Sequence, residues 1–157
     1  MKTFTREEYN LVHNALQKYE LYMSDEEKRT SQIIQDGGKT AVLKFTNESD
    51  GTGEASVKKV DVSALETDSE GNACTGVSIR RIYWATRGMG VDLEFDATTN
   101  VLAIPLPADS TGDEEYDTFG GIPNNSGSGK TGDIDFTTVG HSNGDSYSII
   151  LVLTKNF

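Results

Sequence analysis

Near the end of the chain, the run S-Y-S-I-I-L-V-L (146–153) puts Tyr147, Ile149, Leu151 and Leu153 on one side of an extended backbone and Ile150 and Val152 on the other. Successive strand side chains point to opposite faces, so apolar residues on both sides mark a covered strand in the middle of a sheet. The same period of two recurs upstream. Ile134, Phe136 and Thr138 alternate with Asp133, Asp135 and Thr137, and Val91, Leu93 and Phe95 alternate with acids. Further strands are expected at Ala41–Phe45, Glu54–Val62, Val77–Thr86 and Val101–Leu106, with a short one at Tyr116–Phe119. The alternation slips phase at Lys58-Lys59 and at Arg80-Arg81, which predicts β-bulges. Pro105 and Pro107 confine the end of their strand to a sheet edge. Short strands punctuated by Gly, Asn and Asp turns predict a mainly β fold over residues 39–157, an antiparallel β-sandwich of jelly-roll-like type.

A different period governs the N-terminus. Thr5 and Glu8 form a capping box, with Phe4 and Tyr9 at the staple positions. Tyr9, Val12, Leu16, Tyr19 and Met23 follow at spacings of 3, 4, 3 and 4, one stripe of a helix. Ser24 and Glu27 repeat the capping-box spacing, so a second helix is expected from Asp25 toward Gln35, stopped by Asp36-Gly37-Gly38. Residues 1–38 therefore read as a helical arm or cap. Its stripe either packs on the chain's own sheet or docks on a neighbouring subunit.

Charge narrows the partners. The 157 residues carry a formal net charge of -11, with 7 acids and 5 bases in residues 1–36 and 18 acids and 9 bases in residues 37–157. A nucleic-acid grip needs clustered Lys and Arg, so none is expected. Nor is a membrane span, because no apolar run approaches the roughly 18 residues that a spanning helix needs. The N-terminal M-K-T-F-T-R-E-E-Y has acids where a secretory signal needs an apolar core. One cysteine, Cys74, leaves no intrachain disulfide and no thiolate cluster for a metal.

Catalytic patterns fail on inspection. Gly129-Lys130-Thr131 imitates the end of a phosphate-binding loop, but Asn124 stands where that motif needs glycine, and a strand follows where it needs a helix. His141, Ser142 and Asp145 sit in one turn, whereas a catalytic triad converges from separate elements. His13 has no second histidine at i+4, and neither histidine suggests a zinc site. Asp68-Ser69-Glu70-Gly71-Asn72 departs from the calcium-loop order, and Asp109, Asp113, Glu114, Glu115 and Asp117 make a denser acidic loop. No catalytic residue, cofactor or metal ligand is assigned. Arg80, Arg81, Tyr83, Trp84 and Arg87 form a basic and aromatic segment of the kind that anchors interfaces. Half of that strand must face inward, which assigns Trp84 to the core. Tyr9, Val12, Leu16, Tyr19, Met23, Arg80 and Arg81 are thus the candidate interface residues.

Five runs carry a resemblance: V-K-K-V-D-V-S-A-L (57–65), C-T-G-V-S-I-R-R-I-Y-W (74–84), L-E-F-D-A-T-T-N-V (93–101), F-G-G-I-P-N-N-S-G-S-G-K-T-G-D-I (119–134) and G-D-S-Y-S-I-I-L (144–151). They resemble a small β-rich virion protein of tailed bacteriophages, especially phages of marine bacteria and cyanobacteria. The resemblance spans about residues 39–157 and implies a structural role without catalysis. What it implies is a β-rich accessory on the capsid, neck or tail. Joined to the lack of catalytic groups and the plan of helix plus sheet, it leads to the expectation of a capsid decoration or cement protein on the outer capsid surface, with the major capsid protein and further copies of itself as partners. The alternatives are a neck or tail accessory protein, or a glycan- or calcium-binding module on a fibre.

Overall fold

The structure, a computed structural model, describes residues 28–157. Nine strands among these residues form two antiparallel sheets. β1 (Thr30–Asp36), β2 (Thr40–Glu48), β4 (Gly76–Arg87), β7 (Thr111–Glu115) and β9 (Ser146–Asn156) make a five-stranded sheet in the order β1-β2-β9-β4-β7. β3 (Val57–Val60), β5 (Gly90–Phe95), β6 (Val101–Leu106) and β8 (Ile134–Val139) make a four-stranded sheet in the order β3-β8-β5-β6. The mainly β expectation holds, and β9 is the central strand of the larger sheet.

Alternation decides which side chains lie between the sheets. Leu43 and Phe45 from β2 and Ile149, Leu151 and Leu153 from β9 are buried, as are Leu93 and Phe95 from β5 and Ile134 and Phe136 from β8. Phe136 meets Phe45 edge-on at 5.2 Å between ring centroids and Tyr147 at 5.9 Å, so one ring of the smaller sheet locks into two strands of the larger. Full burial of each such side chain favours folding by about 1.5–3 kcal/mol. Ile150 and Val152, on the other side of β9, are half-buried on the outer face.

Both expected bulges are present. Pairing of β4 with β9 shifts register between Ile79 and Arg81, and pairing of β3 with β8 shifts between Lys58 and Val60. Ile79 and Ile82 are three residues apart and would face opposite sides of a regular strand. One extra residue, Arg80, lets both enter the core, where each is fully buried. Pro105 lies in β6, an edge strand, as the missing amide requires.

Three expectations are corrected. The helix expected from Asp25 toward Gln35 is replaced over its described part by β1, paired with β2 from Thr30↔Thr46 to Asp36↔Ala41. Thr30, Ile33 and Ile34 are β-branched, and the ladder offered by β2 outweighs a local capping signal. The larger sheet thus begins ahead of the Lys39 boundary. The acidic loop at 109–117 contains strand β7, hydrogen-bonded to β4 from Arg81↔Glu115 to Ala85↔Thr111. Cations on β4 opposite its acids remove the repulsion that made the segment look like a loop. Tyr116–Phe119 is not a strand; Asp117–Phe119 forms a 3-10 turn closed by Gly120 in the left-handed region. The first helix expected from Thr5, with its stripe Tyr9, Val12, Leu16, Tyr19 and Met23, lies outside the described residues.

Candidate functional surface

Polar groups that could do chemistry are drawn into four clusters, each closed within the chain. In the simplest, the buried Lys155 ammonium donates to Asp36 at 2.7 Å and to the Gly37 and Glu66 carbonyls at 2.8 and 2.6 Å. The innermost centres on Glu54, whose side chain is fully buried. It forms an ion pair with Lys59, itself buried to 3% side-chain exposure, and accepts hydrogen bonds from Tyr147 Oη and from Asn47 Nδ2 at 3.0 Å. Arg29 Nε stands 3.7 Å from the second carboxylate oxygen. The bulge in β3 turns Lys59 inward, where its ammonium lies 5.9 Å from the Phe136 ring centroid. A carboxylate taken from water is tolerable here because two neutral donors meet one oxygen and the Lys59 ammonium the other. It is sealed from any substrate.

The second cluster runs along the β4–β7 edge. Arg81 donates to Asp113 through Nε and Nη2, both at 2.8 Å, and to Glu115 through Nη1 at 3.2 Å. Arg80 donates to Asp117 at 2.9 Å. The bulge at Arg80 puts both guanidiniums over acids of the neighbouring segment. The bidentate bond from Arg81 holds the Asp113 carboxyl below the usual carboxylate range, and Arg80 does the same to Asp117. Arg81 is pushed up in return, first by its bond to Asp113. The two arginines proposed as interface residues therefore balance the chain's own acids. Trp84 is half-buried against the core and donates to Ser110 Oγ at 2.9 Å, while its indole fills the space where a side chain at position 112 would stand; Gly112 leaves it room.

The third cluster borders the smaller sheet. Asp133 accepts from the Val62 amide at 2.9 Å and pairs with Lys58 at 3.0 Å. Asp135 is 4% exposed and accepts from Asn100 Nδ2 at 3.1 Å. Burial pushes the Asp135 carboxyl up to about 6, against the opposing effect of the Asn100 bond, and the nearby Asp96 adds to the rise. Sequence reading placed Asp133 and Asp135 on the outer side of β8 but missed their burial. The Gly/Ser loop before β8 closes over this region: Thr131 donates to Asp96 at 2.7 Å, and the Thr98 amide bonds the Ser128 carbonyl at 3.0 Å.

The remaining sequence candidates resolve into turns. Lys130 Nζ reaches the Asn124 carbonyl at 3.4 Å, with no helix behind it to hold a phosphate. His141 Nδ1 contacts Thr138 Oγ1 at 3.2 Å, whereas Asp145 accepts the Ser142 amide at 2.7 Å; the three do not form a relay. Asp68 accepts the Glu70 and Asn72 amides at 2.9 and 2.8 Å, a turn that occupies the carboxylate. Among the described residues no group of three or more His, Cys, Asp or Glu is placed to hold a metal ion, and no helix is long and apolar enough to cross a membrane.

Several large apolar side chains also stay open. Ile33 and Ile34 on β1, Leu102 on β6, Val139 on β8, and Phe119 and Phe157 in connecting and terminal segments are each at least 42% exposed. No protein-family model matches the chain, and no curated protein matches it at a significant level.

Proposed function

We propose that the chain is a virion structural protein of a tailed phage, a capsid decoration or cement protein that works by contact and not by catalysis. One observation carries the reading: β2 pairs with β9, β3 with β8, β4 with β7 and β5 with β6. The eight strands are thus the two arms of one long hairpin, rolled until the arms form two sheets. Such a roll is the jelly roll, an architecture recurrent in viral capsid and lectin domains. We therefore read the sandwich as a jelly roll with β1 added beside its first strand.

The surface chemistry supports the same reading. One fold hosts many functions, so the site must argue for itself. Here Glu54 is sealed, Arg80 and Arg81 are spent on the chain's own acids, and the histidine turn lacks a relay. Shape and apolar contact remain as the means of action. On a shell, many copies of a modest contact reinforce each other through effective concentration. The partners in this reading are the major capsid protein and neighbouring copies, at the outer capsid surface.

The test is a cryo-EM map of purified particles together with copy counting by quantitative mass spectrometry. Density for the rolled hairpin at every equivalent capsid position is the expected result. A few copies at the neck or tail would overturn lattice-wide decoration, and absence from the particle would overturn the structural role.

A further inference from the structure

The two sheets have four edges, and three carry guards against pairing with another chain. β6 carries Pro105 just before its last residue and Pro107 just beyond it, and proline cannot donate to a ladder. β7 exposes Asp113, Glu114 and Glu115. β3 is four residues long, exposes Lys58, and is bulged between Lys58 and Val60.

β1 differs. From Thr30 to Gln35 it reads T-S-Q-I-I-Q, with no charge and no proline, and every one of these residues is exposed. Among the described residues β1 pairs with β2 alone, so its other side offers unpaired backbone donors and acceptors. Its register shifts between Ile33 and Gln35. A bulge can itself guard an edge, but this one leaves Ile34 52% exposed, whereas the bulge of β3 turns Lys59 inward and leaves Lys58 as its exposed neighbour. Beside it Ile33, 51% exposed, lines a groove with Leu43, Ala64 and Leu65 whose far side carries Lys59 and Asp61.

We infer that β1 is a self-association edge: β1 of a second copy pairs with it antiparallel about a two-fold axis, joining two five-stranded sheets into one. Addition of a strand to a free sheet edge is a recurrent recognition mode, and a two-fold presents the same patch from both copies. A second copy fits better than a charged partner because the strand's centre is neutral. Antiparallel self-pairing sets no like charges opposite one another there and brings the isoleucines of both copies to one apolar seam. The chain's net charge of -11 opposes approach of the copies, while the seam contributes no ion pair. Added salt therefore tightens this contact, the reverse of what an ionic seam would show. The inference rests on the edge and stands whether or not the protein resides in a virion.

Sedimentation velocity of the full chain across a concentration series, at low and at about 0.5 M salt, tests it. A single-strand seam is small, so a dimer with Kd on the order of micromolar is expected, tightening with salt. Gln32→Lys with Ile34→Lys restores a guarded edge and should weaken the dimer at least about tenfold, a loss of about 1.4 kcal/mol. Gln32 faces Lys44 across the ladder, so the stability control is Ile34→Lys alone, at the unpaired bulge position, whose melting curve should match that of the parent at concentrations well below the dimer Kd. Leu102→Lys, a single added charge on the guarded β6 edge and so the counterpart of Ile34→Lys alone, should leave association within about twofold. A monomer at every concentration overturns the inference. So does a dimer that survives the paired substitution, or one lost equally in the Leu102 variant.

Discussion

The Glu54 hub and the Arg80–Arg81 ladder use the same ingredients, carboxylates facing cations, in opposite settings. Glu54 and Lys59 have side-chain exposures of 0% and 3%, whereas Arg81, Asp113 and Glu115 lie between 33% and 55%. Water screens the ladder and can replace either partner; it cannot reach the hub. Removing one member of the hub strands a charge in a medium that cannot solvate it, so the expected costs differ several-fold although the bonds are of similar geometry. The hub ties β2, β9 and the segment leading into β3 together from inside. The ladder tunes an edge.

The sharpest break in the comparison is Lys59→Met. It keeps the apolar stem over Phe136 and deletes the ammonium, leaving Glu54 with its neutral donors and the more distant Arg29. A loss of about 3–5 kcal/mol in urea unfolding at pH 7 is expected. The double variant Lys59→Met, Glu54→Gln removes both charges and should recover at least half of that loss. If the single variant costs less than about 1 kcal/mol, the hub is solvated after all and the contrast fails.

Asp135 sharpens the comparison from a third direction, as a buried acid whose surroundings include another acid. Its folded pKa, raised to about 6 by burial first, lies above the roughly 3.9 of an unfolded aspartate. The folded state therefore binds the proton more tightly. This group's contribution is most favourable below about pH 4 and is lost as pH rises through about 6. Allowing for screening at the loop-covered face, the penalty at pH 7 is about 1–2 kcal/mol. Asp135→Asn keeps an acceptor for Asn100 and should stabilise the protein by that amount at pH 7, with no gain at pH 4. Equal gains at both pH values would show that charge is not the cause.

Much of this was legible in the chain. Period-two runs located β2, β4, β5, β6, β8 and β9, because one face of each is buried and alternation is then obligatory. The bulges at Lys58-Lys59 and Arg80-Arg81 announced themselves as phase slips. Two edge strands escaped for opposite reasons. β7, T-G-D-E-E, is polar throughout, since the arginines that make it a strand lie across the ladder on β4 and not in the segment. β1 has apolar residues at adjacent positions, Ile33 and Ile34, which reads equally as a helix turn until its pairing with β2 is known. The hub escaped too: nothing in a lone Glu54 tells that Lys59, Asn47 and Tyr147 converge on it from other strands. Local pattern reports which face is buried, and it is silent on polar groups that meet across the fold.

The smallest expected effect lies in the ladder itself. Arg81→Gln removes the bidentate bond to Asp113 and the contact with Glu115 while keeping a polar side chain of similar reach. Both acids are about half exposed, so water can solvate them once the guanidinium is gone. The loss should be the smallest of the three effects in low salt and smaller still above about 0.5 M, because screening weakens what the parent loses along with the arginine. The same substitution sharpens the comparison structurally. The acids of β7 repel one another, so with Arg81 gone, amide exchange along Thr111–Glu115 should quicken at low salt before any change in global stability appears. Unaltered exchange there would assign the strand to its backbone ladder with β4 and to Gly112 over Trp84, and would leave the arginines as passengers on an edge that holds without them.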